Sequence, residues 1–414
     1  MKLHWQIVIA LVAAAVAGQW FGNVAWFVDS VSFVGTMFLN ALRMLIVPLI
    51  VAAIICGLAG AGDGRTLGRL GRWTLAFYMG TGLLAILVGL AMVHLFSPGI
   101  IDGQPAAVLL GLAADTEQVL AGVKERSGGD LVAVLQRLIP SNPINAAAEG
   151  DMLGLVTFAL LFSWALTRLP ETVRKSQREF WEGVYQAMLQ IADLVMRFAP
   201  IGVFALVSGV VAKTGAAAVK PLALFFAAVI CGLLVHAVVT LPLVLRLIAR
   251  VSPIAHFRAV TPALLTAFST SSSAATLPLT LSCLRERAGV SERVTGFVLP
   301  IGANVNTDGT ALYECAAALF IAQAYGLDLS FATQFTIVLM ALVTSVGVAG
   351  IPSASLVAIA LILSAVGLPL EGVGLILAVD RVLDMCRTAV NVLGDTVATV
   401  TVARMDGEKV LGAT

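Results

Sequence analysis

The feature that most restricts this chain is a succession of apolar runs about as long as a bilayer is thick. They lie near residues 5–27, 37–60, 74–97, 152–167, 184–212 and 221–248, then continue less regularly to residue 403. A hydrocarbon core of about 30 Å takes roughly 20 apolar residues per helical crossing. With 59% of 414 residues hydrophobic and 12% charged, the chain carries more apolar surface than one water-soluble core can hide. The expected fold is an all-α integral membrane protein of about eight transmembrane helices with additional interrupted segments.

Charge and cysteine content exclude several classes. A net charge of +1, without a basic run or an aromatic-interleaved patch, gives no footing for nucleic acid. Cys56, Cys231, Cys283, Cys315 and Cys386 are odd in number and scattered, which implies neither a disulfide framework nor a CxxC metal site. The start imitates a signal peptide, but its apolar run continues through Trp20 to Phe27, so a retained first helix is expected.

Lys and Arg crowd alternate loops. Arg65, Arg69 and Arg72 stand in one, Arg168, Arg174, Lys175 and Arg178 in the next, then Arg246, Arg250 and Arg258, then Arg285, Arg287 and Arg293. The short connections near 322–330 and 366–373 carry none, which puts the N- and C-termini on the cytoplasmic side of a cytoplasmic (inner or plasma) membrane. The stretch 98–151, with Asp102, Lys124, Glu125, Arg126 and Asp130, reads as an outside loop with short helices, re-entering near Ser141-Asn142-Pro143.

From about residue 260 the apolar segments are cut by polar and glycine-rich patches that a lipid-facing helix could not tolerate. Thr270 to Pro278, containing Ser271, Ser272 and Ser273, reads as the tip of a re-entrant helical hairpin whose hydroxyls and amides suit an anion. Gly302-Ala303-Asn304-Val305-Asn306-Thr307-Asp308-Gly309-Thr310 interrupts the apolar segment Val294–Ala324. A helix unwound there offers carbonyls, an amide and the Asp308 carboxylate to a hard cation. Thr344 to Ser355, through Ser345, Val348, Gly350, Ile351 and Pro352, reads as a second hairpin tip. Two hairpins, each followed by a helix with mid-membrane polar residues, form the pattern of a transporter built from inverted repeats.

The densest interruption is Asp380, Asp384, Arg387, Asn391 and Asp395, which advance by four, three, four and four residues and so share one helical face. Ionisable groups inside a membrane are costly and mark a functional site by default. The guanidinium fork of Arg387 suits two-pronged capture of a carboxylate.

At these residues the chain resembles the dicarboxylate/amino acid:cation symporter family, the glutamate and aspartate transporter homologues. Leu42-Arg43-Met44-Leu45-Ile46-Val47-Pro48-Leu49, Ile139-Pro140-Ser141-Asn142-Pro143, the serine-rich tip, the Asn-x-Asp-Gly-Thr break, the Ala-Gly-Ile-Pro tip and the final charged helix follow in the family's order. The resemblance implies an elevator-type homotrimer. Residues 1–70 and 140–215 would form its scaffold, 71–97 and 216–405 a moving transport unit, and 98–139 an external loop region.

It further implies that Arg387 holds a substrate side-chain carboxylate and Asp384 its amino group. Thr310, Thr388 and Asn391 would complete the polar shell, with Ser272, Ser273, Gly350 and Ile351 contributing from the two tips. One sodium would sit among Gly302, Asn306, Asn391 and Asp395, a second near Tyr78, Thr81, Asn306 and Asp308, and a third near Asn304, Thr307, Ser345 and Val348. No cofactor is implied beyond the co-transported sodium.

Several positions depart from the family's usual pattern. Thr307 stands where Met is usual, and Gly82 where a hydroxyl residue follows Thr81. Neither Ser271 nor Met385 supplies the arginine that members place in a hairpin tip or the last helix, which leaves Arg381, one turn from Asp384, as the candidate substitute.

Rival readings are a C4-dicarboxylate or neutral amino acid substrate, and protons in place of sodium. Asp384 disfavours a plain dicarboxylate, because it attracts an ammonium and repels a second anion. Asp308 with Asp395 favours a metal cation. An ion channel would need no occluding hairpins. An intramembrane hydrolase using Ser271–Ser273 or an Asp308–Asp395 acid pair lacks motif support, and His4, His94, His236 and His256 show no triad spacing.

Overall fold

The computed structural model describes residues 3–60, 68–106, 136, 139–149, 152–214, 219–347 and 354–411. All regular structure among them is helical except one two-stranded ribbon.

The N-terminal helices are α1 (Leu3–Phe21), α2 (Ala25–Gly60) and α3 (Gly68–Phe96). The first apolar run does not continue to Phe27 as one helix. It stops at Phe21, turns through Gly22 and Asn23, and α2 begins at Ala25. The turn lies where α1 meets a later helix at backbone contact, because a Cβ on Gly22 would stand 2.9 Å from Ala212 Cα. Gly18, one turn earlier, touches Val211 and the Ser208 carbonyl in the same way. Ser208 Oγ donates across this seam to Ala14 O. Small residues with a hydroxyl between them are how helices associate where lipid is as apolar as the side chains.

After α3, Ile100–Ile101 (β1) pairs with Gln104–Pro105 (β2) around Asp102 and Gly103, both at positive φ. This ribbon was not expected in the loop region, although Asp-Gly between short flanks is its usual signal. Residues 107–135, 137 and 138 of that region lie outside the described part. The chain returns in α4 (Pro143–Glu149), capped by Asn142 Oδ1, which accepts from Ile144 N at 2.9 Å and Asn145 N at 3.3 Å. Then follow α5 (Met152–Leu166), α6 (Glu171–Arg197) and α7 (Ala199–Thr214). The single span expected over 184–212 is broken at Phe198, where Pro200 has no N–H to continue the ladder. Helix α2 packs on α5, α6 and α7, and α1 on α7.

The second half begins with α8 (Val219–Val235), prolonged to Ala249 by two π turns, His236–Thr240 and Leu245–Ala249, around Leu241–Val244. Helix α9 (Pro253–Thr270), capped by Ser252, ends at Ser271 in the left-handed region. Ser272 is extended and caps α10 (Ser273–Ser282) by accepting from Ala275 N at 3.2 Å. The serine run is thus the turn of a helix pair. Helix α11 (Glu292–Val305) and α12 (Asp308–Ala324) are separated by Asn306 and Thr307, both outside helical geometry, where the sequence required an unwound helix. Helices α13 (Phe331–Gly347) and α14 (Ala354–Val366) pack as a second pair. Its tip, with Val348, Gly350 and Ile351, lies outside the described residues.

The last helix, α15 (Val373–Met405), packs against α8, α9, α11 and α12, and α12 packs on α3. Among the described residues two helical stretches, Leu70–Phe96 and Lys220–Ala249, are long and apolar enough by themselves to cross a bilayer. Several more apolar helices are shorter. The outer helices turn large apolar groups outward, among them Trp20, Trp26, Phe33 and Met37, whereas nearly every residue of α12 is buried. Outward apolar surface and an inward polar face are the arrangement lipid requires.

Candidate functional site

The break between α11 and α12 exposes backbone amides that need acceptors. Asn391, on α15, supplies one: its Oδ1 accepts from Gly309 N at 2.8 Å and Thr310 N at 3.3 Å, while its Nδ2 donates to Thr310 Oγ1 at 3.1 Å. The start of α12 is therefore capped by a neighbouring helix. Thr307 is engaged elsewhere, its Oγ1 donating to Ser345 O at 2.7 Å at the end of α13. Three elements meet at two non-helical residues.

Toward the N-terminal side of Asn391 on α15 lies the arginine. Arg387 is the largest fully buried side chain of the described residues. Its Nη2 donates to Asp384 Oδ1 at 2.9 Å, Nη1 lies 3.3 Å from Asp380 Oδ1 without hydrogen-bond alignment, and its guanidinium carbon sits 3.9 Å from the centre of the Tyr313 ring. Carboxylates and an aromatic face hold the charge away from water. Among the described residues Nε and Nη1 remain buried donors without a hydrogen-bond partner, the capacity that an incoming carboxylate needs. Arg381 reaches the other oxygen of Asp384, Nη1 to Oδ2 at 3.1 Å. That is the balancing role the sequence left to it. Thr388 lies one residue on, with its hydroxyl donating to Asp384 O.

The hairpin serines approach less closely. Helix α10 packs on α15, and Ser271 Oγ is buried without a hydrogen-bond partner, but no hydrogen bond among the described residues links Ser272 or Ser273 to Arg387.

Toward the C-terminal side of Asn391 the groups change sign. Asn306 Nδ2 donates to Asp395 Oδ1 at 2.9 Å, leaving Asn306 Oδ1 buried without a hydrogen-bond partner. Asn306 N bonds to Gly302 O. Gly302 has room for no side chain, since a Cβ would stand 2.5 Å from both Asp395 Oδ1 and Tyr78 Oη. Gly394 is pressed equally closely against Asn306 Nδ2 and Asp308 Oδ2. Tyr78 donates to Val298 O at 3.0 Å, and Thr81 Oγ1 to Asp308 Oδ1 at 3.2 Å.

Gly302, Asn306, Asp395 and Tyr78 thus come together, and Thr81 meets Asp308, while Asn391, one turn before Asp395, is engaged with Gly309 and Thr310. These oxygens, around two carboxylates that no Lys or Arg of the described residues contacts, suit an alkali cation. Of the third expected group, Thr307 and Ser345 meet and Asn304 lies two residues before the break, while Val348 is outside the described residues.

Two buried groups were missed in the sequence. His236 Nε2 lies 3.2 Å from Asp308 Oδ2, with both side chains fully buried. Glu314, also fully buried, accepts from Thr344 Oγ1 at 2.8 Å. An acidic residue within an apolar run was the available signal for Glu314. His236 gave none, because its partner lies 72 positions away.

The model of the sodium:dicarboxylate symporter family matches residues 3–405. Among curated proteins the chain is 34% identical to a proton/glutamate-aspartate symporter of Escherichia coli, over 98% of this chain and 93% of the relative. It is 34% identical, with the same coverage, to a proton/sodium-glutamate symport protein of Bacillus subtilis. It is 37% identical to the neutral amino acid transporter B(0) of Bos taurus, over 89% of this chain and 72% of the relative.

Proposed function

The chain belongs to the sodium:dicarboxylate symporter family, and from that premise we propose that it carries an acidic amino acid, aspartate or glutamate, across a bilayer in symport with sodium. It is a membrane transporter and not an enzyme. The observation that carries the substrate class is Arg387, a buried guanidinium with unpaired donors beside Asp384. The fork takes the side-chain carboxylate, and Asp384 takes the ammonium. Thr310, Thr388 and Asn391 line the space between. The tips at Ser272–Ser273 and Gly350–Ile351 close over it as re-entrant hairpins.

Sodium binds at Gly302, Asn306, Asn391 and Asp395, at Tyr78, Thr81, Asn306 and Asp308, and at Asn304, Thr307, Ser345 and Val348. The α3, α8–α15 unit moves against the α1, α2, α4–α7 scaffold as an elevator. Three chains assemble through those scaffolds, with both termini in the cytoplasm. The outward apolar faces of α1 and α2 support a lipid-facing or subunit-facing scaffold.

A specific contact favours protons as additional coupling ions. Thr344 has one hydroxyl hydrogen but lies 2.8 Å from both Glu314 Oε2 and Met340 O. When that hydrogen goes to Met340 O, the contact with Glu314 is satisfied by a protonated carboxyl donating its own. Uptake of labelled aspartate by proteoliposomes tests both readings. It is expected to require an inward sodium gradient, and equal uptake without sodium would overturn sodium symport. If an inward proton gradient adds to uptake and Glu314→Gln removes that increment, protons are co-carried.

A further inference from the structure

Among the described residues, His236 is the one fully buried ionisable group touching the proposed cation-binding carboxylates that the transport scheme leaves without a role. It sits on α8, outside the helices that carry the break and the charged face, yet its Nε2 lies 3.2 Å from Asp308 Oδ2. Thr81, on α3, holds the opposite oxygen, Oδ1, at 3.2 Å. The carboxylate that opens α12 is therefore gripped from two sides by two other helices. Next to Thr81, Gly82 brings no side chain to Asp308, and a Cβ there would stand 3.6 Å from Oδ1. Helix α3 thus offers one hydroxyl to this carboxylate, and the second hold comes from α8.

The backbone shows how α8 reaches it. Pro242 has no N–H, so the α-helical bond to the carbonyl four residues earlier cannot form. The ladder shifts register, and Leu241 N bonds to His236 O in a π turn that starts at His236 itself. Inserting a residue this way rotates side chains around the helix, a device common at functional sites. Here it sets a buried imidazole on the face that meets α12. Nδ1 has no hydrogen-bond partner among the described residues, so Nε2 is the ring nitrogen placed to donate to Oδ2.

A carboxylate used as a cation ligand must present a chosen lone pair, and a donor on one oxygen fixes its rotation. We propose that His236 is a positioning residue for cation binding, holding Asp308 with Oδ1 and the remaining lone pairs directed to the ion. This rests on the reading of Asp308 as a sodium ligand.

The test is sodium-dependent thermal stabilisation of the purified protein, together with the sodium and aspartate dependence of uptake. His236→Leu removes the donor at similar bulk. It is expected to raise the sodium concentration for half-maximal stabilisation about 10-fold, with aspartate affinity at saturating sodium within about 2-fold of wild type. His236→Gln, which can still donate to Oδ2, is expected to recover most of the loss. Should His236→Leu fail to fold, His236→Asn, whose amide is too short to reach, replaces it with the same expectation.

Unchanged sodium titration in the donor-less variant overturns the positioning role, and so does a His236→Gln variant as impaired as His236→Leu. Asp308→Asn separates the two levels. If it titrates with sodium as wild type does, Asp308 is no sodium ligand and the underlying reading falls. If it loses the response while His236→Leu keeps it, only the role of His236 falls.

Discussion

Along α15 the stretch Asp380–Arg387 and the stretch Asn391–Asp395 follow one another on a single face, yet they are balanced in opposite senses. In the first, two arginines face two aspartates, and Arg381 Nε, Arg387 Nε and Arg387 Nη1 are buried donors with no hydrogen-bond partner among the described residues. In the second, Asp395 and nearby Asp308 are met by an amide, a hydroxyl and an imidazole, with no Lys or Arg of the described residues in contact. Surplus donors favour an anion, and surplus carboxylates favour a cation. Asn391 stands between them, fastening α12 to α15. On the proposed function, one helix face would thereby hold two ligands of opposite charge, each reducing the other's cost of burial.

The strongest way to break this contrast is to remove the anion side. Arg387→Ala is expected to weaken acidic amino acid recognition by about 100-fold or more, because truncating a buried charge partner costs roughly 2–5 kcal/mol. Neutral amino acids should still compete. Unchanged aspartate affinity in competition uptake would refute the placement of the carboxylate. On the cation side, Asp395→Asn keeps the size and loses the charge. It is expected to raise the sodium requirement about 30-fold while acidic selectivity persists, and a wild-type sodium dependence would remove Asp395 from the ion site.

The smallest effect belongs to Arg381, whose side chain is 27% exposed. Arg381→Ala frees Asp384 Oδ2 for an ammonium, so the preference for aspartate over succinate should rise about 3-fold, the scale of a partly exposed ion pair. An unchanged ratio would show that Arg381 does not set how Asp384 meets its substrate.

Much of this site was legible because lipid punishes polarity. Asn306 and Asp308 within an apolar segment could only mean an interrupted helix, and the spacing of Asp380, Asp384, Arg387, Asn391 and Asp395 could only mean one face. The serine run at 271–273 likewise announced the turn between α9 and α10. What stayed hidden depends on contact across the fold. Gly22 ends α1 where Ala212 approaches, and an isolated glycine in an apolar run does not reveal its neighbour. Pro200 was visible within 184–212, but prolines inside membrane helices often leave them continuous, as Pro48 does in α2. His236 looked like any histidine in an apolar run until the π turn brought it to Asp308.

The claim that one face joins an anion to a cation is tested most directly by calorimetric titration of the purified protein with aspartate at stepped sodium concentrations. Coupling requires each ligand to tighten the other by the same factor. Aspartate affinity should therefore rise at least about 10-fold from sodium-free to saturating conditions, and an affinity independent of sodium would contradict the shared site.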